Sequence, residues 1–309
     1  MHKPTFWAFS SLKVVENTMK QLGRRIWIPS LLAVFALSTN ISAVAADDYS
    51  KKSVAQLIDD LSQIDSSAPG IDSGAVYLGF LANEASISFA MGVLGVPPPK
   101  IPPQMRELVR RGPLALPELI KHLEDRRPTK LEVGNKPGDI STRQVGVDAF
   151  MWTVFSDEYD PRARRSSDEK PEAWKEPMMK HFQGRYTVKV ADVCYVLIGQ
   201  IVNRRLLSAR YQASAGLVVN SPIEVPALAE KVRNDWEKAD AEMLRASLLT
   251  DLRETNGTET SYTQRFNNSA LERLRLYFPD TYNALEGDDL KKKKQFEKDE
   301  AERESLQQK

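Results

Sequence analysis

The sequence predicts a mainly α-helical domain of irregular architecture, with at most a few short strands. Apolar residues recur at the i, i+3, i+4, i+7 spacing of a helical face in several separate segments. Glycines and prolines stand at the ends of those segments, where helices stop and start. Hydrophobic residues make up 41% of the 309-residue chain, which is enough to form a sizeable core.

Residues 1–45 have the order of features that is typical of a secretory signal peptide. An arginine pair at 24–25 precedes an apolar run at 26–37, and Ala-Val-Ala at 43–45 supplies the small residues that a signal peptidase reads. Translation is expected to begin at Met19, because that start gives the basic region an ordinary length. We therefore expect the leader to be cleaved and the protein to be periplasmic or secreted.

Two alternatives stay open for the same segment. An uncleaved anchor is one of them, because residues 26–46 have about the length, roughly 20 residues, that crosses a bilayer. Pro29 and five polar residues interrupt this stretch. The arginine pair also matches part of a twin-arginine export signal. Without the leader, the chain is predicted to contain no membrane span.

The charge of the exported chain argues against binding to nucleic acid. The full chain has 43 basic and 42 acidic side chains, and residues 1–45 contain five of the basic and one of the acidic ones. The remainder therefore has 38 basic and 41 acidic side chains, a formal net charge of −3. Nucleic-acid binding needs a basic face that displaces counterions, so no nucleic-acid partner is predicted.

The first helix of the exported chain is predicted from Val54 to Ile64, with Ser50 or Ser53 as its N-cap. The apolar, glycine-interrupted stretch 71–96 predicts one or two buried helices. A proline-rich run at 97–103 then predicts an extended connector, because proline disfavours helical backbone in itself and in the residue before it.

Two short helices are predicted next, at 105–111 and 116–123, because each segment has one apolar face. Gly112 ends the first helix and Pro113 opens the second, which is the punctuation of a helical hairpin. This unit resembles the HEAT type of helical repeat over about 25 residues. A solenoid needs roughly three or more stacked units, and the sequence contains one convincing copy. The predicted domain is therefore HEAT-like but irregular.

The middle of the chain is predicted to combine short strands with buried helices. Short strands are expected at 130–133 and 216–219. Residues 187–190 are either a strand or the approach to a buried helix at 193–202. The apolar and aromatic stretch 145–155 predicts another buried helix.

The last third of the chain is predicted to be helical and polar. One long helix is expected from Ser221-Pro222 to Leu252, and a shorter one from Asn268 or Ser269 to Pro279. From residue 286 onward opposite charges nearly cancel and apolar residues are isolated, which predicts a solvated helix or a disordered tail that buries no face of its own. The globular domain is therefore predicted over 46–285, with 286–309 as its charged tail.

An acidic cluster is the first candidate site. Asp157, Glu158 and Asp160 lie close together in the sequence, and with His181 they could share acid and base work. The same carboxylates could instead hold a calcium ion, which prefers several oxygen ligands. The structural alternative is a solvated turn whose acids face the arginines at 162–165.

A second candidate cluster consists of Gln200, Asn203, Arg204, Arg205, Arg210, Tyr211 and Gln212, of which Gln200, Arg204 and Arg210 are the ligand-binding candidates. Its amide and guanidinium groups could bind a carboxylate or a sugar. Such side chains also stitch helix ends to neighbouring backbone, and this alternative stays open. Cys194, the single cysteine, lies in an apolar run and is predicted to be a small buried hydrophobe.

Known catalytic signatures do not occur in the sequence. We find no nucleotide-binding glycine loop, no zinc-protease motif, no hydrolase elbow and no paired cysteine motif. No metal site and no cofactor are therefore predicted. Absence of these motifs disfavours an enzyme without excluding one, since many hydrolases use scattered carboxylates.

Five short polar blocks resemble a group of exported bacterial proteins of unassigned function that have a HEAT-like hairpin upstream. The blocks are residues 157–160, 192–194, 199–204, 210–212 and 219–222. The resemblance covers about residues 95–225 and implies a helical fold and an envelope setting, without catalytic residues. We therefore expect an envelope-located helical binding or scaffold module whose partner is a protein or an envelope polymer. The alternative function is a hydrolase that uses the acidic cluster at 157–160 with His181.

Overall fold

The computed structural model describes residues 48–66, 71, 79–83, 101–134, 152–159, 178–180, 185–212, 216–254 and 261–307. Residues Asp47–Lys309 form one compact unit. Within the described ranges the chain has nine α-helices and six short strands, which confirms a mainly helical fold with few strands. None of the helices in these ranges is long and apolar enough to cross a membrane. The predicted signal segment lies outside the described residues.

The described helices range from five to 21 residues and the strands from three to seven. The helices are α1 (Val54–Asp60), α2 (Pro103–Arg111), α3 (Leu116–Lys121), α4 (Val190–Val202), α5 (Pro226–Trp236), α6 (Ala241–Arg253), α7 (Ser261–Tyr277), α8 (Pro279–Asn283) and α9 (Gly287–Gln307). The strands are β1 (Pro128–Gly134), β2 (Trp152–Phe155), β3 (Met178–Lys180), β4 (Arg185–Lys189), β5 (Ala209–Gln212) and β6 (Gly216–Val219).

Helix α4 is the centre of the core. Twelve of its 13 residues are buried, as expected of a helix that is apolar all round. Helices α2, α3 and α6 pack against it. Cys194 on α4 is fully buried as predicted, and burial raises the pKa of its thiol.

The carboxyl end of α4 is closed by its own flanking residues. Asn203 has a left-handed backbone with a φ of 57°, and its side-chain amide donates to the Asp251 carboxylate at 2.9 Å. The Arg204 guanidinium donates to the carbonyl oxygens of Val202 and Asn203 at 3.1 Å each. A cation at this position complements the helix dipole, so α4 ends where the sequence predicts.

Helices α2 and α3 occupy the places predicted for the helical hairpin. Gly112 between them has a φ of +51°, a conformation that favours glycine. A Cβ atom at Gly112 would lie 2.4 Å from the Tyr277 ring on α7. The Tyr277 hydroxyl donates to the Val109 carbonyl at 2.5 Å, across 168 residues of sequence. The hairpin is therefore tied directly to the C-terminal helices.

The strands form two small sheets. In one of them β1 pairs with β4 in antiparallel fashion. The other sheet has the order β3-β2-β6-β5, in which the central β2 and β6 are parallel and the two outer pairs are antiparallel. The parallel register pairs Trp152 with Gly216 and Phe155 with Val219. Both central strands therefore end at the same edge of the sheet.

Two helix predictions are wrong. Residues 152–155, predicted as the end of a buried helix, form β2, because their aromatic and β-branched side chains favour a strand. The long helix predicted from Ser221 to Leu252 is two helices, α5 and α6. Pro226 opens α5, and Asp240 caps α6 by accepting a hydrogen bond from the Met243 N–H at 2.8 Å.

The C-terminal segment is more closely packed than predicted. Helix α7 begins at Ser261, so the predicted cap Asn268 lies inside it. The predicted tail forms α9, which is the helical one of its two alternatives, but this helix packs against α7. Phe296 on α9 is only 1% exposed. The prediction that residues 286–309 bury no face is therefore wrong, because one aromatic side chain anchors the helix.

Candidate functional site

The carboxyl ends of β2 and β6 place two polar segments side by side. Strand β2 continues into Ser156–Tyr159, and β6 continues into Asn220–Glu224. The Ser156 N–H donates to the Val219 carbonyl at 2.9 Å, so the two segments leave the sheet together. Ligands of sheets with parallel strands commonly bind at such an edge. We call residues 156–159, 220–224 and Arg210 the polar edge.

Glu158 and Arg210, which belong to different predicted clusters, meet at the polar edge. Arg210 lies on β5, and its guanidinium donates to both carboxylate oxygens of Glu158, at 2.7 and 3.3 Å. The neighbouring Asp157 carboxylate is exposed and lies 3.4 Å from the ammonium group of Lys231 on α5. Both acids therefore face cations that distant parts of the sequence supply.

Two tyrosines fix the segment after β2 to the helices behind it. The Tyr159 hydroxyl donates to the Asp235 carboxylate on α5 at 2.6 Å, and burial together with that carboxylate raises the pKa of Tyr159. The Tyr195 hydroxyl on α4 donates to the Glu158 carbonyl at 3.2 Å. The backbone of the segment is thus held in place while the Asp157 carboxylate stays in solvent.

No protein-family model, curated protein or solved structure matches this chain. The resemblance to exported bacterial proteins therefore stays a prediction. What the chain does has to be inferred from the geometry of the polar edge and of the residues beneath it.

The other two ligand-binding candidates of the second predicted cluster, Gln200 and Arg204, lie at the carboxyl end of α4. The Gln200 side-chain oxygen accepts a hydrogen bond from the Leu81 N–H at 3.1 Å. The Arg204 guanidinium donates to Asp251 at 2.7 Å and to Ser247 at 3.0 Å, and lies 5.5 Å from the ring centre of Trp236. The contacts of Gln200 and Arg204 connect the end of α4 to neighbouring segments of the chain.

The remaining predicted site residues are not part of the described structure. Asp160 and His181 lie outside the described residues, so their contribution to an acid–base site stays a prediction. Within the described part of the chain, no group of three or more histidine, cysteine, aspartate or glutamate side chains is placed so that it could hold a metal ion.

A buried polar group that the sequence analysis missed lies beneath the polar edge. Asp192, in the first turn of α4, is fully buried, and its Oδ2 accepts hydrogen bonds from the Tyr186 hydroxyl at 2.8 Å and from the Lys189 N–H at 2.7 Å. The Ser221 hydroxyl of the polar edge lies 3.0 Å from the Tyr186 oxygen. The signal in the sequence is a single acid inside an otherwise apolar helix.

The surroundings of Asp192 disfavour its charged form. Burial raises the pKa of Asp192 to about 6, although the hydrogen bonds that its carboxylate accepts from the Lys189 backbone and from Tyr186 oppose that shift. Burial also raises the pKa of Tyr186. The second carboxyl oxygen of Asp192, Oδ1, has no hydrogen-bond partner among the described residues. An acid held in this way can take up or release a proton near neutral pH.

Proposed function

We propose that the chain is an exported helical module of the bacterial envelope that binds a protein or an envelope polymer at the polar edge. The observation that carries this proposal is the meeting of two polar segments at the carboxyl ends of the parallel strands β2 and β6. The leader-like segment at residues 1–45 supports the envelope setting, and cleavage of that leader is part of the proposal.

Binding fits the charges of the polar edge better than catalysis does. The Glu158 carboxylate is engaged by the Arg210 guanidinium through two hydrogen bonds, which leaves it poorly placed to take a proton from a substrate. The exposed Asp157 carboxylate beside this ion pair makes a rim of mixed charge. Such a rim suits a ligand with hydroxyl, amide or amino groups, as both polypeptides and envelope polymers have.

A HEAT-like character of α2 and α3 belongs to the same proposal. The two helices meet at a glycine with positive φ and both pack against α4. Leu114 in the connecting turn is 80% exposed. An apolar side chain at a hairpin tip suits a scaffold that contacts a partner, although single exposed leucines also occur without one.

Co-sedimentation with purified peptidoglycan sacculi tests the polymer case. Wild-type protein is expected in the pellet, and Arg210→Ala is expected to stay in the supernatant because it breaks the ion pair that shapes the polar edge. Arg245→Ala is the matched control, since Arg245 pairs with Glu242 on the surface of α6. Equal pelleting of Arg210→Ala and Arg245→Ala would remove the polar edge as the binding site.

A photoreactive amino acid at position 157 tests the protein case in living cells. We expect an adduct with one envelope protein that is lost when Arg210→Ala is added and kept when Arg245→Ala is added. If no adduct forms and the sacculi do not bind either, the binding function is wrong. The hydrolase alternative keeps one supporting observation, the exposed Asp157 carboxylate; measurable turnover that His181→Ala abolishes would favour it.

A further inference from the structure

A chain of hydrogen-bonded groups connects the buried Asp192 to the polar edge. Asp192 binds the Tyr186 hydroxyl, and the Tyr186 oxygen lies 3.0 Å from the Ser221 hydroxyl. Ser221 Oγ in turn accepts the backbone N–H groups of Ile223 at 3.2 Å and Glu224 at 3.4 Å. The Asp192 carboxyl is therefore connected to the turn at 221–224 through two hydroxyl groups.

The surroundings of Asp192 accommodate its neutral form better than its charged form. Its Oδ2 has two donors at short range, but Oδ1 is buried and has no partner among the described residues. A buried carboxylate with an unsatisfied oxygen is costly, because water would otherwise solvate it. The neutral acid costs less to bury. Opening the turn would let water reach the charged form.

We propose that Asp192 is a positioning residue that regulates the polar edge, holding the turn at 221–224 closed on α4 when protonated and releasing it when ionised. The consequence for binding rests on the proposed function, because a closed turn gives the polar edge its shape. The opening itself does not depend on any ligand.

We assign the response to pH to Asp192 rather than to the charged and titratable groups around it. Burial raises the pKa of the Cys194 thiol on the same helix, so this thiol stays neutral. Burial acts to raise the pKa of Asp125, but hydrogen bonds from Arg127 outweigh burial and lower this pKa, so that carboxylate stays charged. Among the described residues, the other groups facing Asp192 or its partner Tyr186 are Lys189 at the end of β4 and Glu224 in the turn.

Amide hydrogen exchange of Ile223 and Glu224 tests the proposal on the whole exported chain without ligand. After correction for intrinsic exchange, the population of the open turn should increase roughly tenfold between pH 5 and pH 7.5. The reason is that the pKa of Asp192 is about 6 in the closed form and has its ordinary value in the open form. Asp192→Asn mimics the protonated acid, so both amides should stay protected at both pH values.

Glu272→Gln is the matched control. Burial raises the pKa of Glu272 on α7 to about 7, so it titrates in the same range, but it is not part of this hydrogen-bonded chain. The control should keep the wild-type pH response. Tyr186→Phe removes the link between Asp192 and Ser221 and should abolish that response even if Asp192→Asn folds poorly.

Two results would overturn the proposal. One is a wild-type pH response that survives in both Asp192→Asn and Tyr186→Phe; the other is a response that Glu272→Gln abolishes. Sacculi pelleting at pH 5 and pH 7.5 then examines the consequence for binding separately. A turn that opens with pH while pelleting stays absent would count against the proposed function and leave the regulatory role of Asp192 standing.

Discussion

Replacing Phe296 with alanine tests whether α9 is an integral part of the domain. The Phe296 ring is fully buried, and the Arg275 guanidinium lies 5.2 Å from its centre. Truncating a buried phenylalanine costs about 3–5 kcal/mol, but α9 can also detach locally, which limits the loss to the free energy of its docking. The partly exposed pair between Arg275 and Glu300 adds only about 0.2–1 kcal/mol to that docking. We expect the free energy of unfolding to fall by roughly 2–4 kcal/mol.

Thermal unfolding followed by circular dichroism measures this change. A domain of this size loses about 2–4 °C of Tm for each kcal/mol, so a drop of roughly 4–16 °C is expected. Leu306→Ala is the control on the same helix, because Leu306 is 70% exposed and its loss should change the Tm by less than about 1 °C. If both variants have the same Tm as the wild-type protein, α9 does not contribute to the core and the domain ends before residue 286.

Leu119→Ala should lower the free energy of unfolding by about 2–5 kcal/mol, because Leu119 is fully buried on α3; an unchanged denaturation midpoint would contradict this. Cys194 should react slowly with a thiol reagent in the native protein, since its thiol is buried and burial raises its pKa; rapid labelling would show that the site is open. The fold should be more stable near pH 5 than near pH 8, by roughly 3–4 kcal/mol. Burial raises the pKa of Asp192 to about 6 and that of Glu272 to about 7 in the folded chain. The stability that each acid contributes is therefore fully present at a pH below the ordinary pKa of its carboxyl group. It is lost as the pH rises through the pKa of that group in the folded chain. Thermal melts of the double variant Asp192→Asn, Glu272→Gln should lose this slope, and a slope that persists would assign it to other groups.

Local signals were sufficient to predict the helices around α4. Three features can be recognised within a few residues of sequence: the apolar run of α4, the capping serine Ser53 of α1 and the Gly112–Pro113 boundary. The structure has helices at each of these places. Strand β2 was missed because four residues are too few to distinguish a strand from a helix by periodicity. The burial of Phe296 was missed because a single apolar side chain makes no stripe.

The polar edge could be predicted only in its parts. Both acidic and basic members were recognised by residue type, but their pairing depends on the register of β2 with β6 and of β6 with β5. Glu158 and Arg210 are 52 residues apart, and no local pattern connects them. Asp192 escaped notice for a related reason, since its partners Tyr186 and Ser221 are brought together only by the complete fold.

The contact between Tyr277 and the hairpin has a consequence for when the chain can fold. The Tyr277 hydroxyl satisfies the Val109 carbonyl, and its ring fills the space that Gly112 leaves open, across 168 residues of sequence. Contacts of such long range slow folding, because the entropy of closing the intervening loop is lost before the contact stabilises anything. A nascent chain that has not reached α7 therefore lacks the partner that completes α2 and α3. The proposed export would make use of this delay, because a chain that is not yet folded can be threaded through a membrane pore.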